Sequence, residues 1–130
     1  MQVTAHLIYR EKLGSPLGRH YGLAIRDLLT GRVRVFDLQS NSRRRSLTLE
    51  QFAEGRLICW EKYVDGAAAQ ECLRRLRQLL AVPRLVYDFF KRNCEHFARY
   101  AFSGESRSYQ IEFALAISLV VLVLWASRSQ

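Results

Sequence analysis

Asn93-Cys94-Glu95-His96-Phe97, within the longer run Lys91 to Tyr100, carries the residue types and spacing that could do chemistry. Asn93 is a good N-cap, so Cys94 falls in the first turn of the helix that follows. There the unpaired backbone N–H groups and the positive end of the helix dipole favour a thiolate over a thiol. Lys91 and Arg92 push the same way. A thiolate so placed is a nucleophile at neutral pH once a base lies near it. The same residues also fit a buried cysteine that only fills space. The chain has three histidines, His6, His20 and His96. His96 lies two residues beyond Cys94, roughly 200° around a helix, so it points away from the thiol and reads as structural. His6 has no identifiable role.

The elements that must position a base can be followed along the chain. Gln2 to Arg10 holds Val3, Leu7, Ile8 and Tyr9 and reads as a strand, and Gly14-Ser15-Pro16-Leu17-Gly18 is a turn cluster. His20 to Ile25 reads as a second strand and Arg32 to Leu38 as a third, with Val33, Val35 and Asp37 on one face. These two form an antiparallel hairpin. His20, at the start of one strand, and Asp37, near the end of its partner, then share one end of it. A base and its orienting carboxylate need that geometry.

Gln39 to Ser46, with Arg43-Arg44-Arg45, reads as a solvated loop or as a phosphate or headgroup contact. Thr48 followed by Gln51 is a capping signal for a short helical turn ended by Gly55. Arg56 to Val64 reads as a fourth strand, with Cys59 as packing. Asp65 caps a helix over Ala67 to Leu80, whose stripe of Ala69, Cys72, Leu73, Leu76, Leu79 and Leu80 makes Cys72 a core residue. Pro83 stops that helix. Leu85-Val86-Tyr87 then leads into the Cys94 helix, which runs to Phe102 and is broken at Ser103-Gly104-Glu105-Ser106.

Asn93-Cys94-Glu95-His96-Phe97 resembles the signature of the lecithin:retinol acyltransferase-like family, which includes small phospholipase A/acyltransferases. Arg19-His20-Tyr21-Gly22-Leu23-Ala24-Ile25 resembles the family's upstream His box, Tyr87 has the spacing of its tyrosine, and an apolar tail is present. The resemblance covers nearly the whole chain, in order. It implies an α+β, circularly permuted papain-like fold with the His strand before the Cys helix. It also implies a thiol acyl transfer from a glycerophospholipid to water, an amine or an alcohol, with Cys94 as nucleophile and His20 as base. Relatives carry a second His on the next strand to orient the first. This chain has none there, and strand alignment gives the orienting role to Asp37. Tyr21, beside the base, is a candidate oxyanion or water contact, and Arg43, Arg44 and Arg45 are candidate headgroup contacts. Tyr87 reads as structural support. No cofactor or metal is implied. A cysteine amidase or peptidase, and a non-enzymatic membrane-tethered module of the same fold, stay open; the substituted orienter favours the latter.

The 130 residues, 49% of them apolar, suffice for one small core. Residues 1–106 read as the catalytic body and 107–130 as an anchor. From Phe113 to Ala126 the chain is almost wholly apolar, and fourteen helical residues span roughly 21 Å, short of the roughly 30 Å hydrocarbon core. From Ile111 onwards the charges are Glu112 and Arg128, so the net charge of +8 belongs to the body. A basic body suits an anionic membrane surface or nucleic acid, and the tail selects the phospholipid membrane and a lipid substrate over nucleic acid. Three cysteines without framework or ligand spacing argue against disulfides and structural zinc and for a reducing compartment. The first nine residues are too short and polar for a signal peptide. The expected placement is a C-terminally anchored membrane protein with its body in the cytoplasm.

Overall fold

The computed structural model describes residues 1–12, 18–88 and 92–129. Most of the turn cluster at Gly14 to Leu17, and Lys91, lie outside the described residues. The strands are β1 (Val3–Glu11), β2 (Arg19–Asp27), β3 (Val33–Leu38), β4 (Arg44–Leu47) and β5 (Cys59–Val64). The helices are α1 (Leu49–Ala53), α2 (Gly66–Ala81), α3 (Cys94–Ser103) and α4 (Tyr109–Arg128). All strands join one antiparallel sheet in the order β4-β3-β2-β1-β5.

The architecture is α+β, with helices on both faces of the sheet. Alternation along β2 sets the two faces. Tyr21, Leu23 and Ile25 point to the main core, which α2 and α3 cover with Ala69, Cys72, Leu76, Phe97 and Ala101. Ala24 points to the smaller core that Ile8, Val35 and Phe52 of α1 complete. The β2–β3 register pairs Leu23 with Phe36 and Arg26 with Val33, so the expected hairpin is present. Gly22 lies under the α1 ring: a Cβ there would come within 2.8 Å of both Phe52 Cε2 and Val35 Cγ1.

Among the described residues the sheet has five strands, not four. The additional strand is β4, in the arginine-rich stretch that reads as a solvated loop. An edge strand tolerates charge, and here two of its arginines have internal partners: Arg44 donates to the carbonyls of Leu79 and Val82 past the end of α2, and Arg45 reaches Asp37. β5 begins at Cys59 rather than Arg56 and forms the other edge, which leaves Cys59 exposed. Asp65 stands at the N-cap of α2 without a side-chain capping bond. Thr48 and Gln51 form the capping box expected of α1.

The C-terminal helix is longer than its apolar core. Ser108 caps it, accepting from the Ile111 N–H, and it runs for 20 residues, about 30 Å. Its mean hydropathy reaches 2.0, and it is long and apolar enough to cross a membrane. Ile111 is buried against the body, whereas Phe113 and the large apolar residues from Leu115 to Trp125 are exposed.

Candidate active site

Two local structures bring the candidate residues together. The first is the N-terminus of α3. Asn93 Oδ1 accepts from the His96 N–H at 3.0 Å, and His96 Nδ1 accepts from the Asn93 N–H at 3.2 Å, a reciprocal capping box in which histidine takes the place usual for Glu or Gln. His96 is thus committed to the backbone, and Cys94 occupies the first helical position. The second is the β2–β3 hairpin, which puts His20 Nε2 2.7 Å from Asp37 Oδ2.

With Nε2–H given to the carboxylate, Nδ1 is the ring nitrogen left for the thiol, and Cys94 and His20 each shift the other's titration. Sγ also lies 3.7 Å from the Arg19 carbonyl, an acceptor for the thiol proton. The imidazole packs on Phe52, ring centres 5.5 Å apart. Cys94 and the hydrogen-bonded pair His20–Asp37 therefore lie together, buried at 3%, 7% and 0% exposure.

Burial alone would push the Cys94 thiol up, but the bond to His20 and its charge, with a Tyr21 backbone bond and the charge of Lys12, outweigh it and hold the thiol below its ordinary value. Burial would lower His20, yet Asp37 and Cys94 bring it above the usual imidazole value. Asp37 is held below the usual carboxylate range against its own burial by bonds from His20 and Arg45. All three shifts favour a thiolate–imidazolium pair backed by a carboxylate.

Arg45 lines the cleft with its fork turned to Asp37. Its Nε donates to Asp37 Oδ1 at 3.0 Å and its Nη2 to Oδ2 at 2.6 Å, so its fork is engaged with the orienting carboxylate. Arg44 is committed to the end of α2, and Arg43 is left exposed. Tyr21 is displaced from its expected place. Neighbours on a strand face opposite ways, and its hydroxyl lies in the main core, donating to Glu61 at 3.1 Å and accepting from Arg99 at 3.2 Å. Burial pushes that hydroxyl well above the ordinary tyrosine value. What Tyr21 offers Cys94 is its backbone, not its ring.

The network around Tyr21 escaped the sequence. Glu95, fully buried beside the nucleophile, accepts from Arg99 Nε at 2.7 Å and from the Ser108 hydroxyl at 2.7 Å, and Arg99 goes on to Glu61 at 2.9 Å. The i,i+4 spacing of Glu95 and Arg99 was the available signal. His6 lies away from the site, against Tyr63 and Trp60.

The cleft that opens on the thiol is about 190 Å³ and is lined by Arg10, Lys12, His20, Arg45, Tyr87 and Cys94 among others. Among the described residues no group of three or more His, Cys, Asp or Glu could hold a metal ion. A buried thiol, imidazole and carboxylate in a basic cleft can in principle transfer an acyl group. Comparisons with curated proteins and with solved structures give no match. The family model described as lecithin retinol acyltransferase matches residues 8–107, a span that takes in the β2–β3 hairpin and the whole of α3. The chain belongs to the lecithin retinol acyltransferase family.

Proposed function

We propose that the protein is a membrane-associated cysteine acyltransferase or phospholipase acting on glycerophospholipids. The observation that carries this reading is the buried cluster of Cys94 with the His20–Asp37 pair at one cleft. The Cys94 thiolate attacks the ester carbonyl carbon. The resulting oxyanion is met by the Cys94 N–H, one of the orphan donors of the first helical turn. The C–O bond breaks, the lysophospholipid oxygen takes a proton from His20, and the acyl group stays on sulfur as a thioester. Water, an alcohol or an amine then gives a proton to His20, attacks the thioester carbonyl, and releases the thiolate. Asp37 holds the imidazole in one tautomer and stabilises its charged form; Arg45 keeps Asp37 ionised.

The order of elements, His strand before Cys helix, supports a circularly permuted papain-like arrangement. The position of α4 supports a C-terminal anchor, which would hold the cleft at the surface where such esters lie. The basic body and free thiols suit the cytoplasmic side. The Asp that replaces a His in relatives speaks less for a non-enzymatic module once it bonds the imidazole and is kept ionised.

The test is the intact mass of the full chain in detergent after incubation with short-chain phosphatidylcholine. An acyl adduct is expected on the native protein and absent from Cys94→Ala. No adduct and no released fatty acid from the native protein would overturn the lipid reading and turn attention to peptide substrates.

A further inference from the structure

The start of α4 is bonded into the site. Arg19, the residue before His20, gives its N–H to Gln110 Oε1 at 2.7 Å, and its carbonyl accepts from Gln110 Nε2 at 3.2 Å. One amide thus brackets the main chain of the first residue of β2. The Gln110 N–H donates to Glu95 Oε1 at 3.1 Å, the carboxylate next to Cys94 in sequence. Ser108 Oγ, which caps α4, donates to the same oxygen and accepts from Asn93 Nδ2 at 3.3 Å. The residues on either side of Cys94 and the residue before His20 are therefore held by Ser108 and Gln110 of the C-terminal segment, and Ile111 is buried beside them.

We propose that Gln110 is a positioning residue of the acyl-transfer site, and that the first turn of α4 sets the geometry between Cys94 and His20. The inference rests on the assignment of those two residues as nucleophile and base. Its physical content lies in the Arg19 carbonyl, which is shared between Gln110 Nε2 and the Cys94 thiol. A carbonyl already accepting from an amide is a weaker acceptor for S–H, so Gln110 disfavours the thiol form and leaves the thiolate to His20. The same bracket fixes the strand position from which the imidazole projects. Without it the carbonyl is free to take the thiol proton, and the main chain at Arg19 keeps its pairing with β1 but loses the bracket.

Alkylation of the full-length chain by iodoacetamide in detergent, followed on the peptide that carries Cys94 as a function of pH, tests this. Four proteins are compared: native, Gln110→Met, Gln110→Glu and Ile111→Ala. Gln110→Met keeps the length of the side chain but none of its three hydrogen bonds, two to Arg19 and one to Glu95. Gln110→Glu keeps an acceptor for the Arg19 N–H but loses the donor to its carbonyl. Both are expected to move the alkylation profile to higher pH, lowering the rate at pH 6.5 about five-fold, since loss of a single hydrogen bond is worth roughly that factor. Ile111→Ala loosens the packing of the same turn but keeps the bracket, and should leave the profile in place while lowering the melting temperature. A native thiol that reacts like free cysteine would sink the nucleophile–base assignment itself. A native profile at low pH that neither Gln110 variant moves would overturn the positioning role alone. An equal shift in Ile111→Ala and the Gln110 variants would also overturn it, because general loosening would then account for the effect.

Discussion

Helix α3 has a buried cysteine at each end, and the two thiols differ in what they can do. Cys94 is the first residue of the helix; Cys72, from α2, donates its S–H to the Phe102 carbonyl in the last turn at 2.9 Å. Their exposures are nearly equal, 3% and 0%. Burial pushes both thiols up, and for Cys72 it prevails even with Arg75 nearby. For Cys94 it is overcome by His20. The two ends of a helix differ in the sign of their partial charge: N–H groups face Cys94 and a carbonyl faces Cys72. Burial does not decide reactivity here; the partners do.

The contrast can be broken most severely by removing either sulfur. Cys94→Ala should lower acyl transfer roughly 10³-fold or more while the fold is retained. Cys72→Ala should leave the rate within a factor of two and cost about 1–2 kcal/mol of stability, the scale of a small core truncation. A urea melt beside a turnover assay checks both. Next in size is Asp37→Asn, which keeps the shape but loses the charge that fixes the His20 tautomer, and it should cost roughly 10²–10⁴ in kcat. A loss of less than about threefold would remove Asp37 from the orienting role.

The pH dependence sharpens the comparison without altering a residue. A thiol held below its ordinary value keeps its thiolate as pH falls, until the depressed value itself is crossed. One held above it has little thiolate until the pH is well into the alkaline range. At pH 7, iodoacetamide should therefore modify Cys94 at least ~10 times faster than Cys72 in the folded chain, as peptide mass mapping would show. Gly22→Ala acts on one end only. Its methyl meets Phe52, on which His20 packs, so stability should fall by about 1–3 kcal/mol, with activity lost faster than structure, and Cys72 reactivity unmoved.

Much of this was legible in the sequence. The β2–β3 hairpin followed from alternation and a turn, and it brings His20 and Asp37 to one end. Asn93, the Thr48–Gln51 pair and the stripe through Cys72 carry local rules that the structure obeys. Where the sequence misled, the missing information was non-local. Arg44 and Arg45 look like solvated charge because nothing nearby in the chain shows that α2 will end beside one and a buried carboxylate beside the other. Gln110 looks like part of a tether because its partners lie 15 and 91 positions away. Tyr21 is a different case: strand alternation with His20 already placed its ring on the opposite face.

The distances along the chain within the site also set an order of assembly. His20 and Asp37 are 17 residues apart in one hairpin, whereas Cys94 meets Arg19 across 75. Short loops close early and at little entropic cost, and distant contacts must wait for the intervening chain to collapse. A half-folded molecule thus holds base and carboxylate together while its cysteine is still an ordinary thiol. On the proposed assignment, the activated thiolate is among the last products of folding, and a chain that stalls on the way carries none.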